Sequence, residues 1–297
     1  MAEQKYRLIT RDDFDGIVSG VLFNELEMID DILFVHPKDM QDGVIDVSAN
    51  DITSNLPYVE GVHLCFDHHH SETLRVGNRD NLVIDPKAPS AAHVIYDHYG
   101  GDERFPDIPE GLLDAVDQAD AAQYSEADVL APSGWSLLNF IIDPRTGLEH
   151  FSQFAISHNQ LMHDLVIYCR RHPIDEILLI PDVEERVLLY HENDEFAEFQ
   201  LKRCTGVHAN LAVVDLLKED VIHPINRFMI YALYPEINIS MHVMWRPERE
   251  RTIFAVGKSI LNRTSKTDVG ALMLEYGGGG HETAGTCQID NDKAEQV

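Results

Sequence analysis

Val62-His63-Leu64-Cys65-Phe66-Asp67-His68-His69 is an apolar run that ends in a carboxylate and two imidazoles. The run reads as a buried strand. In open α/β sheets, ligands bind outside the carboxyl ends of strands, so the polar end marks a candidate site. Working outward, Tyr6–Thr10 reads as a first strand and Arg11–Asp15 as a tight polar turn. Gly16–Met28 has helical spacing, with Val18, Val21, Leu22, Leu26 and Ile29 near one stripe. Ile32–Val35, a short Val44–Val47 before Ser48–Ser54, and Leu82–Ile84 are further strands. Ser90–Tyr99 and Glu110–Asp120 follow prolines, as helix starts often do. Strands alternating with helices predict an α/β fold, a mostly parallel sheet flanked by helices over residues 1–182.

Beyond Pro132 the pattern turns helical, over Ser133–Ile142, Phe151–Arg171 and Val183–Arg203. Residues 183–205 are expected to form a helical linker and 206–297 a smaller α/β domain. There Ala209–Val214, Asn238–Trp245, Thr252–Val256 and Thr283–Ile289 read as strands, and Asp268–Tyr276 as a helix. The expected site is a cleft between the two lobes.

Composition narrows the function. Lys and Arg number 23 against 51 Asp and Glu, for a net charge of −28. Duplex binding needs a basic stripe that displaces counterions, so duplex DNA is an unsuitable partner. A small anion is still compatible, because a bound cation inverts the local potential. No apolar run approaches membrane-spanning length, and Met1-Ala2-Glu3-Gln4-Lys5 has no signal-peptide character, so no membrane association and a cytoplasmic location are expected. Cys65, Cys169, Cys204 and Cys287 are scattered, which disfavours a zinc ribbon and suits reduced thiols.

Asp13-Phe14-Asp15-Gly16 follows the first strand. Paired carboxylates suit hard divalent cations, but Asp is also a preferred turn and helix-capping residue. Asp67-His68-His69 is more specific, since carboxylate with imidazole suits a borderline transition ion; a surface histidine cluster, extended by His70, is the alternative. Gly277-Gly278-Gly279-Gly280-His281 exceeds what a helix cap needs and would let backbone N–H groups approach an anion.

Taken in order, these motifs resemble the DHH phosphoesterase superfamily, with its associated C-terminal domain, over almost the whole chain. Asp13-Phe14-Asp15-Gly16 is similar to the first motif, Asp51 in Ala49-Asn50-Asp51-Ile52-Thr53 to the second, and Asp67-His68-His69 to the third. Asp120 in Asp120-Ala121-Ala122-Gln123-Tyr124 resembles the fourth, with Asp117 as rival, and Gly277–His281 resembles the glycine-rich motif. The nearest subgroup is exopolyphosphatase-like or oligoribonuclease-like.

The resemblance implies two Mn²⁺ ions per chain, with Mg²⁺ or Co²⁺ as substitutes. Asp13, Asp15, Asp51, His68 and Asp120 would be the metal ligands, and Asp51 and Asp120 candidates to bridge. His69 would contact the phosphate and Asp67 would orient an imidazole. Gly278, Gly279, Gly280, His281, Lys258, Asn262 and Arg263 would hold the substrate's far end. Many members carry a histidine upstream of the Asp-x-Asp pair, where this chain has Ile9 and Arg11. Arg11 cannot ligate; one ion then binds weakly or keeps an extra water, or Arg11 itself contacts a phosphate.

The expected activity is water-mediated cleavage of a phosphodiester or phosphoanhydride in a short anion. Polyphosphate, a short single-stranded oligonucleotide, phosphoadenosine phosphate and a cyclic dinucleotide all qualify. A catalytically degenerate nucleotide- or phosphate-binding regulator and a one-metal phosphatase are the alternatives. A homodimer is compatible with the commonest soluble assembly.

Overall fold

A computed structural model of the chain describes residues 4–148, 151, 153–245 and 250–294. The chain forms two compact units. The first comprises residues 1–123, 133–143 and 151–187; the second comprises 124–132, 144–150 and 188–297.

In the first unit the strands are β1 (Tyr6–Arg11), β2 (Ile29–Val35), β3 (Asp51–Ser54), β4 (Leu64–Asp67) and β5 (Leu82–Ile84). They make one sheet in the order β2-β1-β3-β4-β5, and every pairing is parallel. The order reverses between β1 and β3, the switch point beside which such sheets bind ligands. Around the strands run α1 (Phe14–Glu25), α2 (Pro37–Gln41), α3 (His70–Val76), α4 (Ala91–Tyr99) and α5 (Leu112–Asp120). α6 (Glu126–Leu130) belongs to the second unit, and α7 (Gly134–Ile142), α8 (His158–Arg171) and α9 (Ile174–Ile177) to the first. Ten of the twelve residues of α1 are buried, which fits a helix packed between the sheet and other helices.

The parallel α/β reading holds, and three local readings need correction. Val44–Val47 forms no strand; Ile45 and Val47 instead pack sideways onto Ile9, Val35, Met40 and Leu56. The true strand is β3, within the segment read as a loop. α8 begins at His158 rather than Phe151, because Ser157 caps it by accepting from the Gln160 N–H at 3.1 Å. Ser152, inside that expected helix, lies outside the described residues. Among the described residues, no helix is long and apolar enough to cross a membrane.

α10 (Pro181–Cys204) leads into the second unit. There β6 (Thr205–His208), β7 (Leu211–Asp215), β8 (Ile239–Trp245), β9 (Arg251–Lys258), β10 (Gly279–His281) and β11 (Ala284–Asp290) form a mixed sheet. Its order is β10-β11-β9-β8-β7-β6, with only β7 and β8 parallel. α11 (Met229–Leu233), α12 (Val269–Glu275) and α13 (Asn291–Ala294) accompany it. Val243, Phe254, Val256, Val269, Met273 and Cys287 build its apolar core.

His242 lies in β8, in register with Val214 and Ala255. Burial disfavours its charged form and lowers its pKa from the ordinary 6.5 to about 4. Between those values the unfolded chain takes up a proton at this residue and the folded chain does not. Stability should therefore fall as pH drops through this window, by about 1–3 kcal/mol from this residue. Across this window the wild type should lose stability relative to His242→Leu as pH falls, read from melting curves of both; a difference between them that does not change with pH would contradict this.

Candidate functional site

The turn between β1 and α1 is the first component. Asp13 is the N-cap of α1, in extended backbone, and its Oδ1 accepts from the Gly16 N–H at 3.0 Å. A Cβ on Gly16 would lie 2.0 Å from the Arg11 carbonyl oxygen, so only glycine allows the chain to turn this tightly. The turn carries Asp15 inward, to 2% exposure. Its carboxylate meets the first turn of α4, accepting from the N–H groups of Ala91 at 2.9 Å and Ala92 at 2.7 Å. Burial, with Asp120 and Asp13 nearby, still holds the Asp15 pKa well above the usual carboxylate range.

The carboxyl end of β4 supplies the second component. Asp67 is buried, and its Oδ1 accepts from the His68 N–H at 2.9 Å and lies 2.7 Å from His69 Nδ1. His68 turns the other way. Its Nδ1 lies 3.2 Å from the Ala88 carbonyl, which fixes the tautomer with the lone pair on Nε2. That Nε2 is 2.9 Å from Asp120 Oδ2, yet out of hydrogen-bond alignment. Burial opposes protonation of His68, but Asp120 outweighs it and raises the pKa to about 9. For Asp120, burial pushes upward and the His68 contact overrides it, leaving the pKa below the usual value.

Asp120 closes α5, and its competitor Asp117 points to different partners. Asp117 accepts from Ser90 Oγ at 2.6 Å and lies 2.7 Å from His93 Nδ1. Ser90 caps α4, so Asp117 braces the helix end that holds Asp15. A cavity of about 490 Å³ is lined by Asp114, Asp117, Gln118 and Trp135, among others, but by neither Asp15, His68 nor Asp120.

Asp15, His68 and Asp120 thus come together, each offering a ligand atom within 4.8 Å of the others. Two carboxylates and an imidazole presenting a lone pair are a donor set for a divalent ion such as Mn²⁺. Either a cation or a proton on Nε2 is needed to keep that lone pair and the Asp120 oxygen so close.

Asp51 requires correction. It stands at the amino end of β3, paired with Arg7 at the amino end of β1, whereas the cluster gathers at the carboxyl ends. Asp51 Oδ1 takes a 2.8 Å contact from Arg7 Nε, and its Oδ2 accepts from the Ser48 N–H and hydroxyl at 2.6 and 3.0 Å. Four residues on, about 13 Å along the strand, is the residue that sequence reasoning missed, Asn55. It is 1% exposed with φ 55, a left-handed conformation that asparagine tolerates. Its Nδ2 lies 3.3 and 3.4 Å from the two Asp13 oxygens. The Asn-Leu-Pro turn after Thr53-Ser54 was the available signal.

Arg11 Nε lies 3.0 Å from Asp13 Oδ2, so Asp13 faces Arg11, Asn55 and its own helix cap. Nearby, His158 Nε2 and Asp12 Oδ1 approach to 3.3 Å.

In the second unit the glycine run is part hairpin. Gly278 follows α12, and Gly279–His281 form β10 against β11. A Cβ on Gly278 would sit 2.2 Å from the Thr286 carbonyl oxygen, and one on Gly280 2.4 Å from that of Ala284. Close backbone packing alone therefore requires these two glycines. Lys258 Nζ reaches the Thr267 carbonyl at 3.0 Å and Glu282 Oε1 at 2.9 Å. Arg263 Nε donates to the Ile260 carbonyl at 2.9 Å, and Asn262 accepts from Thr264 at 2.7 Å.

No family model and no curated protein matches the chain. Among solved structures, a pGpG-specific phosphodiesterase, PggH, from Vibrio cholerae is 51% identical, with a TM-score of 0.86 over 99% of this chain and 96% of that one. CDC45 from Entamoeba histolytica aligns at a TM-score of 0.51 and 8% identity, over 99% of this chain and 94% of that one, a likeness of fold alone.

Asp51→Ala separates structural from chemical roles. It should destabilise the protein by about 1–3 kcal/mol, by stranding the Arg7 and Ser48 donors. Manganese affinity of the folded protein, measured by calorimetry, should be unchanged; loss of the ion from a folded variant would restore Asp51 as a ligand.

Proposed function

Because the chain belongs to the family of the Vibrio pGpG-specific phosphodiesterase and is a hydrolase of phosphoester bonds, we propose that it cleaves the internal phosphodiester of a short linear dinucleotide of the pGpG type with a divalent metal ion. The Asp15–His68–Asp120 cluster carries this reading: it is the group of described residues suited to a cation, and it sits at the ligand-binding end of the sheet. Mn²⁺ is the favoured ion, since the donor set mixes hard oxygens with one imidazole. Such an ion supplies an activated water and draws off charge from the phosphoryl oxygens.

The chain's own groups divide the remaining work. Asp15 and Asp120 supply the negative charge that retains the ion, and Ala88 fixes His68 in the ligating tautomer. Asp67 holds the His69 ring through Nδ1, which suits His69 to contact the phosphate or deliver a proton to the leaving oxygen. Arg11, beside the cluster, suits a phosphate oxygen. Water adds to phosphorus, the bond from phosphorus to the leaving oxygen breaks, and that oxygen ends as a hydroxyl. The products of a pGpG-type substrate are two mononucleotides. The Gly278–His281 segment, with Lys258 and Arg263, is proposed to select the substrate's far end. The net charge of −28 supports a short substrate over a long strand, which most of the surface would repel.

Nucleotide release should be measured with Mn²⁺ on pGpG, a longer RNA strand, pyrophosphate and cyclic di-AMP. Preferential turnover of the dinucleotide is expected, with His68→Ala losing on the order of 1,000-fold or more. Turnover of pyrophosphate or long RNA at the dinucleotide's rate would contradict the substrate class, and full activity in a metal chelator would contradict metal dependence.

A further inference from the structure

We propose that the centre holds one divalent ion, on Asp15, His68 and Asp120, and that Arg11, Asp13 and Asn55 form a fixed polar triad in the place of a second. This rests on the metal-dependent phosphodiesterase reading and concerns how the same site is charged. Two positions, Asp13 and Asn55, and the charge of the centre converge on it.

The first is Asp13. Its Oδ2 faces Arg11 Nε at 3.0 Å, its Oδ1 accepts from the Gly16 N–H at 3.0 Å, and Asn55 Nδ2 lies within 3.4 Å of both. A carboxylate with that many donors has its lone pairs committed. A cation arriving there would have to displace a guanidinium that never deprotonates. The second is Asn55. It is 1% exposed just past the carboxyl end of β3, and its Nδ2 lies against both Asp13 oxygens. Its Oδ1, buried with no hydrogen-bond partner among the described residues, can coordinate a cation but brings no charge to retain it. The carboxylate of this segment, Asp51, is bound to Arg7 at the opposite end of the strand.

The third is charge. Arg11 balances Asp13, and Asp67 Oδ1 is held by the His68 N–H and the His69 ring, so the carboxylates that converge on the cluster are those of Asp15 and Asp120, with His68 neutral when it ligates. Those two carboxylates neutralise one divalent ion. A second would bring two further positive charges into partly buried surroundings with no other carboxylate converging there, which is costly. Asp12 and His158, 3.3 Å apart, are the other candidate pair, but no third metal-binding side chain among the described residues joins them. The pair offers one carboxylate and one imidazole, against the two carboxylates and imidazole of the cluster, and so retains a divalent ion less well.

Arg11 is also equipped to do part of what a second ion would do. Its Nε lies 3.0 Å from Asp13 Oδ2, which tethers the guanidinium by charge, while the side chain remains 30% exposed and its Nη atoms have no partner among the described residues. The two parallel N–H groups of a planar guanidinium match the oxygens of a phosphate. Asp13 and Asn55 are then positioning residues for Arg11, and Arg11 itself contacts the substrate.

The test counts ions and reads their coupling, apart from activity. Full-length protein reconstituted with Mn²⁺ and freed of excess should carry one ion per chain by elemental analysis. Its electron paramagnetic resonance should show the hyperfine pattern of isolated Mn²⁺. Asp15→Ala should lose the ion. Arg11→Ala should keep it while turnover of pGpG falls on the order of 100-fold, the scale of losing one charge-stabilising donor. The Arg11→His, Asn55→Asp double variant should acquire a second ion with an exchange-coupled signal. Two coupled ions in the wild type would overturn the inference and leave the phosphodiesterase reading intact. One isolated ion with no turnover of any phosphodiester would do the reverse. Full turnover in Arg11→Ala would remove Arg11 from substrate contact.

Discussion

Burying the Asp15 carboxylate is the constraint on which the rest of the first unit depends. A carboxylate at 2% exposure, with Asp13 and Asp120 close by, is strongly destabilised unless positive groups surround it. The fold supplies them from elements far apart in sequence. The first two N–H groups of α4 bind both of its oxygens, with the positive end of the helix behind them. Asp117 grips the Ser90 cap of the same helix, so α5 determines how α4 presents those groups. What the backbone leaves uncompensated could be met by the proposed cation, since His68 and Asp120 offer ligand atoms close to those of Asp15. Strand order, helix capping and metal chemistry therefore answer a single electrostatic problem.

The arrangement also reconciles an acidic protein with an anionic substrate. Negative charge is spread over the chain as a whole, but at the carboxyl end of the sheet these carboxylates have polar or charged partners. Asp13 faces Arg11, Asp67 faces His69, and Asp15 and Asp120 converge with His68. An ion bound there would offset the Asp15 and Asp120 charges beside the Arg11 guanidinium, so that a phosphodiester could approach. A short substrate meets that region and little of the repelling surface beyond.

Much of this was legible in the sequence. β4 ends its apolar run at Asp67-His68-His69, and β1 leads into a capped helix through Asp13-Phe14-Asp15-Gly16, so both components of the site carried their signal locally. β3 was not legible. A central strand reading Asp-Ile-Thr-Ser has one apolar residue, although all four are buried. Ser54 is absorbed by tertiary contacts: its carbonyl accepts from Thr10 Oγ1 at 3.0 Å, and its Oγ meets Ser19 Oγ at 2.8 Å. The apolar Val44–Val47 segment offered a false strand just upstream. That moved the apparent strand end to Asp51 and hid Asn55. The choice between Asp117 and Asp120 was equally invisible, because one turn of α5 separates a residue that braces a helix from one that faces the cluster. The glycine run was visible as a motif, but its close approach to Thr286 and Ala284 depends on pairing with β11.

The central claim is that Asp15, His68 and Asp120 hold a divalent ion at the carboxyl end of the parallel sheet. Anomalous diffraction at the manganese edge, from crystals grown with Mn²⁺, tests it most directly. The account predicts an anomalous peak within ligand distance of all three side chains. A peak ligated by Asp51 at the amino end of β3, or no peak at the cluster with the ion in excess, would contradict it.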